Sequence, residues 1–146
     1  MDNKKDSKRR KNVLNPNNIF ITKKNIRNIL KKGNIKLDIK DMTIWQQSFV
    51  HKSYVNKLKN ISNDKKIVPF QKKSNERLEW LGDANIQGVV SDYLWRRFPD
   101  ENEGFLTKLR SKLVKTKNLS FLAKKLGLQK YILISHHVDF GCNGRE

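Results

Sequence analysis

Glu76, Glu79 and Asp83 stand within the segment NERLEWLGDA, residues 75–84. If the segment is helical, each residue advances about 100° around the axis. With Glu76 at zero, Glu79 falls near −60° and Asp83 near −20°, so all three carboxylates share one face within two turns. Like charges so placed weaken a helix unless something positive meets them. Dipole complementation at a helix start accounts for Glu76 and Glu79, but not for Asp83 one turn further in. A divalent cation accounts for all three, since Mg²⁺ takes oxygen ligands from few carboxylates and completes its shell with water or phosphate. Carboxylates beside a polyanion need such a bridging cation, which is the logic of metal-assisted phosphodiester cleavage.

The surroundings of these acids are basic. The chain of 146 residues carries 32 Lys+Arg against 14 Asp+Glu, a net charge of +18. Residues 76–102 reverse the sign, with three basic and six acidic residues, net −3. A chain this basic points to nucleic acid or an acidic membrane surface as partner. Lys, Asn and Ile are also residues of AT-rich codons, so the charge alone is a weak pointer. No apolar run is long enough to span a bilayer, and no secretory leader is visible at the start. Cys142 is the single cysteine, so an internal disulfide framework and a multi-cysteine zinc site are both excluded. A reducing, intracellular compartment is expected, cytoplasmic by default.

The elements that must position the acids read as helices. Residues 1–21 are expected to form a disordered basic arm, open to reading as an RNA contact, a nuclear address or an idle tail. A domain is expected over 22–146. Thr22 caps a short helix through Ile26, Ile29 and Leu30, stopped by Gly33. A second helix starts near Asp41 and runs through Ile44, Trp45 and Phe49 toward Tyr54. Residues 57–73, with six lysines and Pro69, read as a basic loop. The longest helix runs from Asn75 to about Phe98, with Leu78, Leu81, Val89, Val90, Tyr93 and Leu94 as its apolar contacts and Pro99 as its stop. Another starts near Glu103, and a last one covers Asn118 to Leu126 before Gly127. The stretch from Tyr131 begins extended and turns to loop. The fold class is all-α.

Two neighbours of the acids carry a second signal. Gly82 inside a helix costs about 1 kcal/mol against alanine and suits a close approach by another chain. Trp80 lies beside the carboxylate face, where an interface plug and an ordinary packed tryptophan fit the spacing equally. His136, His137 and Cys142 read as loop residues rather than a metal site, and His51 as a structural cap or bridge.

NERLEWLGDA closely resembles the signature of the ribonuclease III family, usually NERLEFLGDA. FVHKSY at 49–54 is similar to the family's F-x-H-[RK]-S-[YF], and RRFPDENEGFLTKLRSKLVKTKNLSFLAKKLGL at 96–128 to its following run. The resemblance covers about residues 40–146. It implies an all-helical, dimeric catalytic domain that cleaves double-stranded RNA with Mg²⁺ (Mn²⁺ as substitute) in RNA processing, leaving 5′-phosphate and 3′-hydroxyl ends. It further implies Glu79 as a metal ligand and Asp83 as the acid beside the hydrolytic water. Glu76 and Glu103 become supporting acids, and Trp80 and Gly82 a dimer contact. Three departures accompany it: Asn85 in place of a small or apolar residue, a longer loop at 57–73, and no counterpart of the family's helix I-L-A-D-x-x-E-A after Glu146. The expected domain therefore lacks its final helices and a double-stranded-RNA-binding domain. Such a chain is expected to cut weakly or not at all alone, and to need a homodimer or a complementing polypeptide. The alternative is a non-catalytic RNA-binding or ribonucleoprotein component of the same fold.

Overall fold

A computed structural model describes residues 14–55 and 67–141. These residues are all-helical apart from two isolated parallel bridges, Val50 with Leu133 and Val55 with Gln71. Six α-helices follow one another: α1 (Lys23–Lys32), α2 (Met42–Ser48), α3 (Glu76–Arg97), α4 (Glu103–Val114), α5 (Thr116–Leu126) and α6 (His136–Gly141), with 3₁₀ turns at Lys52–Tyr54 and Leu128–Tyr131. No helix among the described residues is long and apolar enough to cross a membrane.

Local chemistry sets most of the boundaries. Thr22 and Asn25 form a reciprocal capping box at the start of α1, which satisfies amides that have no intrahelical partner. Its stop differs in detail from the expectation. Gly33 has φ −85°, and the left-handed residue is Asn34 at φ 55°. Asn34 N–H donates to Lys31 O and Ile35 N–H to Leu30 O, the Schellman pattern, in which asparagine substitutes for glycine. Asp41 caps α2 through Thr43 N–H at 2.8 Å, and Asn102 caps α4 through Phe105 N–H at 2.9 Å. Gly127 ends α5 in the left-handed region, φ 76°.

Several expectations are corrected. The second helix ends at Ser48 rather than near Tyr54. The chain leaves it to pair with the C-terminal stretch: Leu133 N–H donates to Phe49 O at 2.8 Å and His51 N–H to Leu133 O at 3.0 Å. The last expected helix begins at Thr116, two residues before Asn118. After Ile134 the chain forms α6 rather than loop, with Ser135 O accepting from Val138 and Asp139 N–H. Of the arm placed at 1–21, residues 1–13 lie outside the described residues. The rest is fastened down. Asn15 and Asn18 are buried, and both donate to Ile134 O, at 3.1 and 3.0 Å. Asn18 Oδ1 accepts from Ile134 N–H at 3.2 Å, and Asn15 also donates to Asp139 at 2.9 Å. In the expected loop at 57–73, residues up to 66 lie outside the description; beyond them Gln71 N–H donates to Tyr54 O.

Among the described residues the two buried apolar clusters draw no side chain from α3. Ile21, Ile26 and Ile39 form one cluster, joined by Trp45, Phe49 and Tyr131. Val50, Tyr54 and Leu133 form a second, against Leu14, Val68 and Phe70. On α3, only Leu94 is buried among the described residues. It meets α4, where Arg110 donates to Ser91 Oγ at 3.0 Å and Phe98 stands edge-on to Phe105. Leu81, Val89 and Tyr93, expected as inward contacts, are exposed, and so are Trp80, Ile86 and Trp95. The apolar residues of α3 fall on all sides of the helix.

Candidate functional site

The acid-bearing start of α3 is held by backbone rather than by its own cap. Asn75 makes no side-chain capping bond. Its N–H donates to Val50 O at 2.8 Å, and Gln47 Nε2 donates to Ser74 O at 2.9 Å. Val50 is the residue that bridges to Leu133, and Gln47 lies in the last turn of α2 just before it, so the first turn of α3 is registered against the buried second cluster.

Helix α3 is continuous through all three acids. Glu79 and Asp83 therefore lie about 40° apart around the axis and about 6 Å apart along it. Both are exposed, and among the described residues neither side chain has a hydrogen-bond or ion-pair partner. Glu76 differs. Its carboxylate accepts from Ser74 Oγ at 3.2 Å and faces Lys52 Nζ at 3.8 Å, both partners being well exposed. An exposed pair of this kind contributes little energy, but it turns Glu76 toward Lys52. Among the described residues the acids without a partner are thus Glu79 and Asp83, and Glu76 stands beside them. Lys52 and Ser74 were not singled out by sequence reasoning; only the K of HKSY hinted at the first.

Glu103 does not join them within one chain. It sits at the start of α4, in a hollow lined by Ser91, Leu94, Trp95, Leu106 and Arg110. Eleven residues separate Asp83 from Leu94, about 17 Å along α3. Among the described residues no three His, Cys, Asp or Glu side chains gather in a metal-holding group. What α3 offers is a pair of hard oxygen donors on one face. That fits Mg²⁺ or Mn²⁺ as part of a shell, with remaining positions left to water or phosphate.

Trp80 is 76% exposed. An added Cβ at Gly82 would meet nothing within 4 Å, so the close approach that would justify this glycine does not come from the described part of its own chain. Asn85, the departure from a small or apolar residue, is exposed. His51 is structural: its Nδ1 lies 2.8 Å from Ser53 Oγ and accepts from Ser53 N–H. His136 and His137 are exposed in the first turn of α6, and Cys142 lies outside the described residues. On the far side of α3 from the carboxylates a hollow of about 600 Å³ is lined by Lys72, Lys73, Arg77, Leu78 and Leu81.

The all-helical fold, with Glu79 and Asp83 exposed on one face of its longest described helix, has counterparts among known proteins. The Ribonuclease III domain family model matches residues 76–143. The probable ribonuclease 3 of Acanthamoeba polyphaga mimivirus is 42% identical over 142 residues, 92% of this chain and 26% of that protein. Ribonuclease 3 of Phytoplasma mali is 39% identical over 106 residues, 73% of this chain and 42% of that protein. Among solved structures, the nuclease domain of ribonuclease III from Campylobacter jejuni, described for structural flexibility in a region involved in dimer formation, superposes with a TM-score of 0.65 at 31% identity. It covers 83% of this chain and 72% of that one. The chain belongs to the ribonuclease III family. It spans between about a quarter and about two fifths of the length of these two ribonuclease 3 proteins.

Proposed function

We propose that this chain contributes the metal-binding acid pair of an endoribonuclease acting on double-stranded RNA in RNA processing. The observation that carries the reading is the exposed Glu79–Asp83 pair, without partners among the described residues and one turn apart on a helix anchored to the interior at its first residues. Mg²⁺ or Mn²⁺, when bound, supplies Lewis acidity toward a phosphodiester and lowers the pKa of water. Glu79, in the first turn of α3, would be a ligand of the cation. Asp83, one turn on, would orient the attacking water and take up its proton. Glu76, turned toward Lys52, and Glu103, on α4, would act as supporting acids.

The surface of α3 supports an assembly. Trp80 offers a large aromatic to a partner, Gly82 leaves open space beside it, and Leu81, Ile86, Val89 and Tyr93 are exposed. Large apolar side chains left open around a helix mark a surface that a partner covers. A second copy of the chain or a complementing polypeptide covers it and supplies further ligands. Residues 1–146 alone then cut slowly, because in-line attack depends on positioning that two carboxylates do not complete.

The test has two readouts. Mn²⁺ titration followed by electron paramagnetic resonance should show weak binding that disappears in Glu79→Gln and in Asp83→Asn. End-labelled duplex RNA with Mg²⁺ should be nicked slowly, leaving 5′-phosphates, with Ca²⁺ supporting binding but no cutting. No divalent affinity in the wild type, or affinity that survives loss of both acids, overturns the reading. Because no third ligand joins the pair among the described residues, the non-catalytic alternative has its own signature: duplex RNA bound and never cut, with or without a partner.

A further inference from the structure

Acidic residues are absent from Leu14 to Leu37, and again from Gly104 to Val138. The fold brings helices from these two stretches together. Lys32 Nζ lies 3.9 Å from where a Cβ on Gly127 would stand, so α1 ends beside the end of α5. Lys31 and Lys32 close α1, and Lys124 and Lys125 close α5. Those four complement the negative ends of their helix dipoles, which would explain them alone.

The start of α1 has no such explanation. Lys23 and Lys24 occupy a first turn that holds no acid, where the dipole is positive and cations are unfavourable. Lys23, Arg27 and Lys31 recur every four residues, a row of like charges about 6 Å apart along the axis. Such repeats weaken a helix. All seven cations are exposed. Among the described residues none of them pairs with a carboxylate; Lys52–Glu76 and Arg96–Asp92, which do pair, involve the acids of α3. Asp38 shares a hollow with Arg27 without pairing with it. A different face of α1, centred about 110° round the axis from the row, does the packing, through Ile26, Ile29 and Leu30. The row is therefore unfavourable for its own helix, unused by the fold, and carried on a docked support.

We infer that α1 and the last turn of α5 form a ridge that docks the sugar–phosphate backbone of duplex RNA, apart from the acid pair on α3. Which polyanion it takes rests on the nuclease reading above. A regular row of cations meets a regular row of phosphates, and such contacts position a duplex without reading its sequence. An acidic membrane fits less well. Membrane-surface helices turn an apolar face to lipid, whereas the apolar face of α1 is committed to the interior.

The experiment measures binding of the whole chain to a blunt duplex RNA by fluorescence anisotropy, in EDTA and over a range of salt. Two variants with equal charge change are compared. Arg27→Gln with Lys31→Gln removes two ridge cations; Arg96→Gln with Arg97→Gln removes two from the end of α3. Circular dichroism checks that both fold. The ridge variant should flatten the slope of log K against log[salt] by about 2, one per lost phosphate contact. Its affinity should fall on the order of tenfold at moderate salt, while the α3 variant stays near wild type. Equal weakening of both variants would mean that only net charge matters, and overturns the ridge. Capture on phosphatidylserine vesicles with no duplex RNA binding overturns it too. Because cutting is absent in EDTA, intact ridge binding beside failed cleavage in Mg²⁺ would count against the nuclease reading alone.

Discussion

Replacing Asp83 with asparagine should stabilise the fold while removing its response to divalent ions. Glu79 and Asp83 are an exposed like-charge pair at i,i+4 without a cation beside them among the described residues. Such a pair destabilises a helix by about 0.2–0.5 kcal/mol. Asp83 lies beyond the first turn of α3, where the benefit of a negative charge near the helix start has fallen off. Asp83→Asn therefore relieves repulsion and loses nothing in return. For a chain of this size the gain raises the melting temperature by about 1–2 °C. Glu79→Gln behaves differently. It relieves repulsion with both Glu76 and Asp83, but forfeits a favourable dipole interaction of about 0.3–1 kcal/mol, and the two nearly cancel. The assay is thermal unfolding in EDTA at low salt, repeated at high salt, where screening should erase the Asp83→Asn gain. Mn²⁺ is then titrated into each protein. Wild type should gain stability with concentration, by about 2.7 kcal/mol at a hundred times the dissociation constant; neither variant should. A lower melting temperature for Asp83→Asn in EDTA would refute the repulsion argument. A Mn²⁺-dependent rise that persists in the variants would refute the acid pair as the ion's seat.

Three further outcomes follow from the fold. Asn18→Ala leaves the buried Ile134 N–H without its acceptor, and Asn15→Ala takes an acceptor from Asn17 N–H and a donor from Asp139; each should cost about 1–3 kcal/mol, and a urea midpoint unchanged by either would contradict the fastening described. Thr43 holds the Asp41 carboxyl below its ordinary 3.8, first through the hydroxyl and then through the backbone N–H. A pKa depressed in the folded state means stability that is present above the unfolded value and lost as pH falls through the folded one, so the urea-midpoint gap between wild type and Asp41→Ala should be constant near neutrality and close in acid below 3.8; a gap that widens in acid contradicts the sign. Gly127→Ala should cost about 1–2 kcal/mol from left-handed strain alone, since its nearest neighbour is Lys32 Nζ at an ordinary 3.9 Å, and Gly127→Asn should cost less; equal denaturation midpoints for Ala and Asn would contradict that cause.

What the sequence determined by itself is local. The faces of α3 follow from helical periodicity, so the shared direction of Glu76, Glu79 and Asp83 was legible from three residue numbers. Thr22, Asp41 and Gly127 act through hydrogen bonds or backbone angles within a few positions, and their roles as caps and stop could be read in order along the chain. Pro99 ended α3 for the same reason. Tertiary structure decided what depends on residues far apart in sequence. Asn15 and Asn18 read as part of a polar arm, and only the return of Ile134, more than a hundred positions later, gives their amides a buried backbone to bond. The same return draws Val50 into a bridge and ends α2 early. Which acid of the three is turned aside was equally hidden, because Lys52 reaches Glu76 across a loop rather than along a helix. The apolar residues of α3 predicted burial, and the fold leaves most of them exposed. Periodicity states that a side chain needs cover, but only the packing of other elements, or of another chain, provides it.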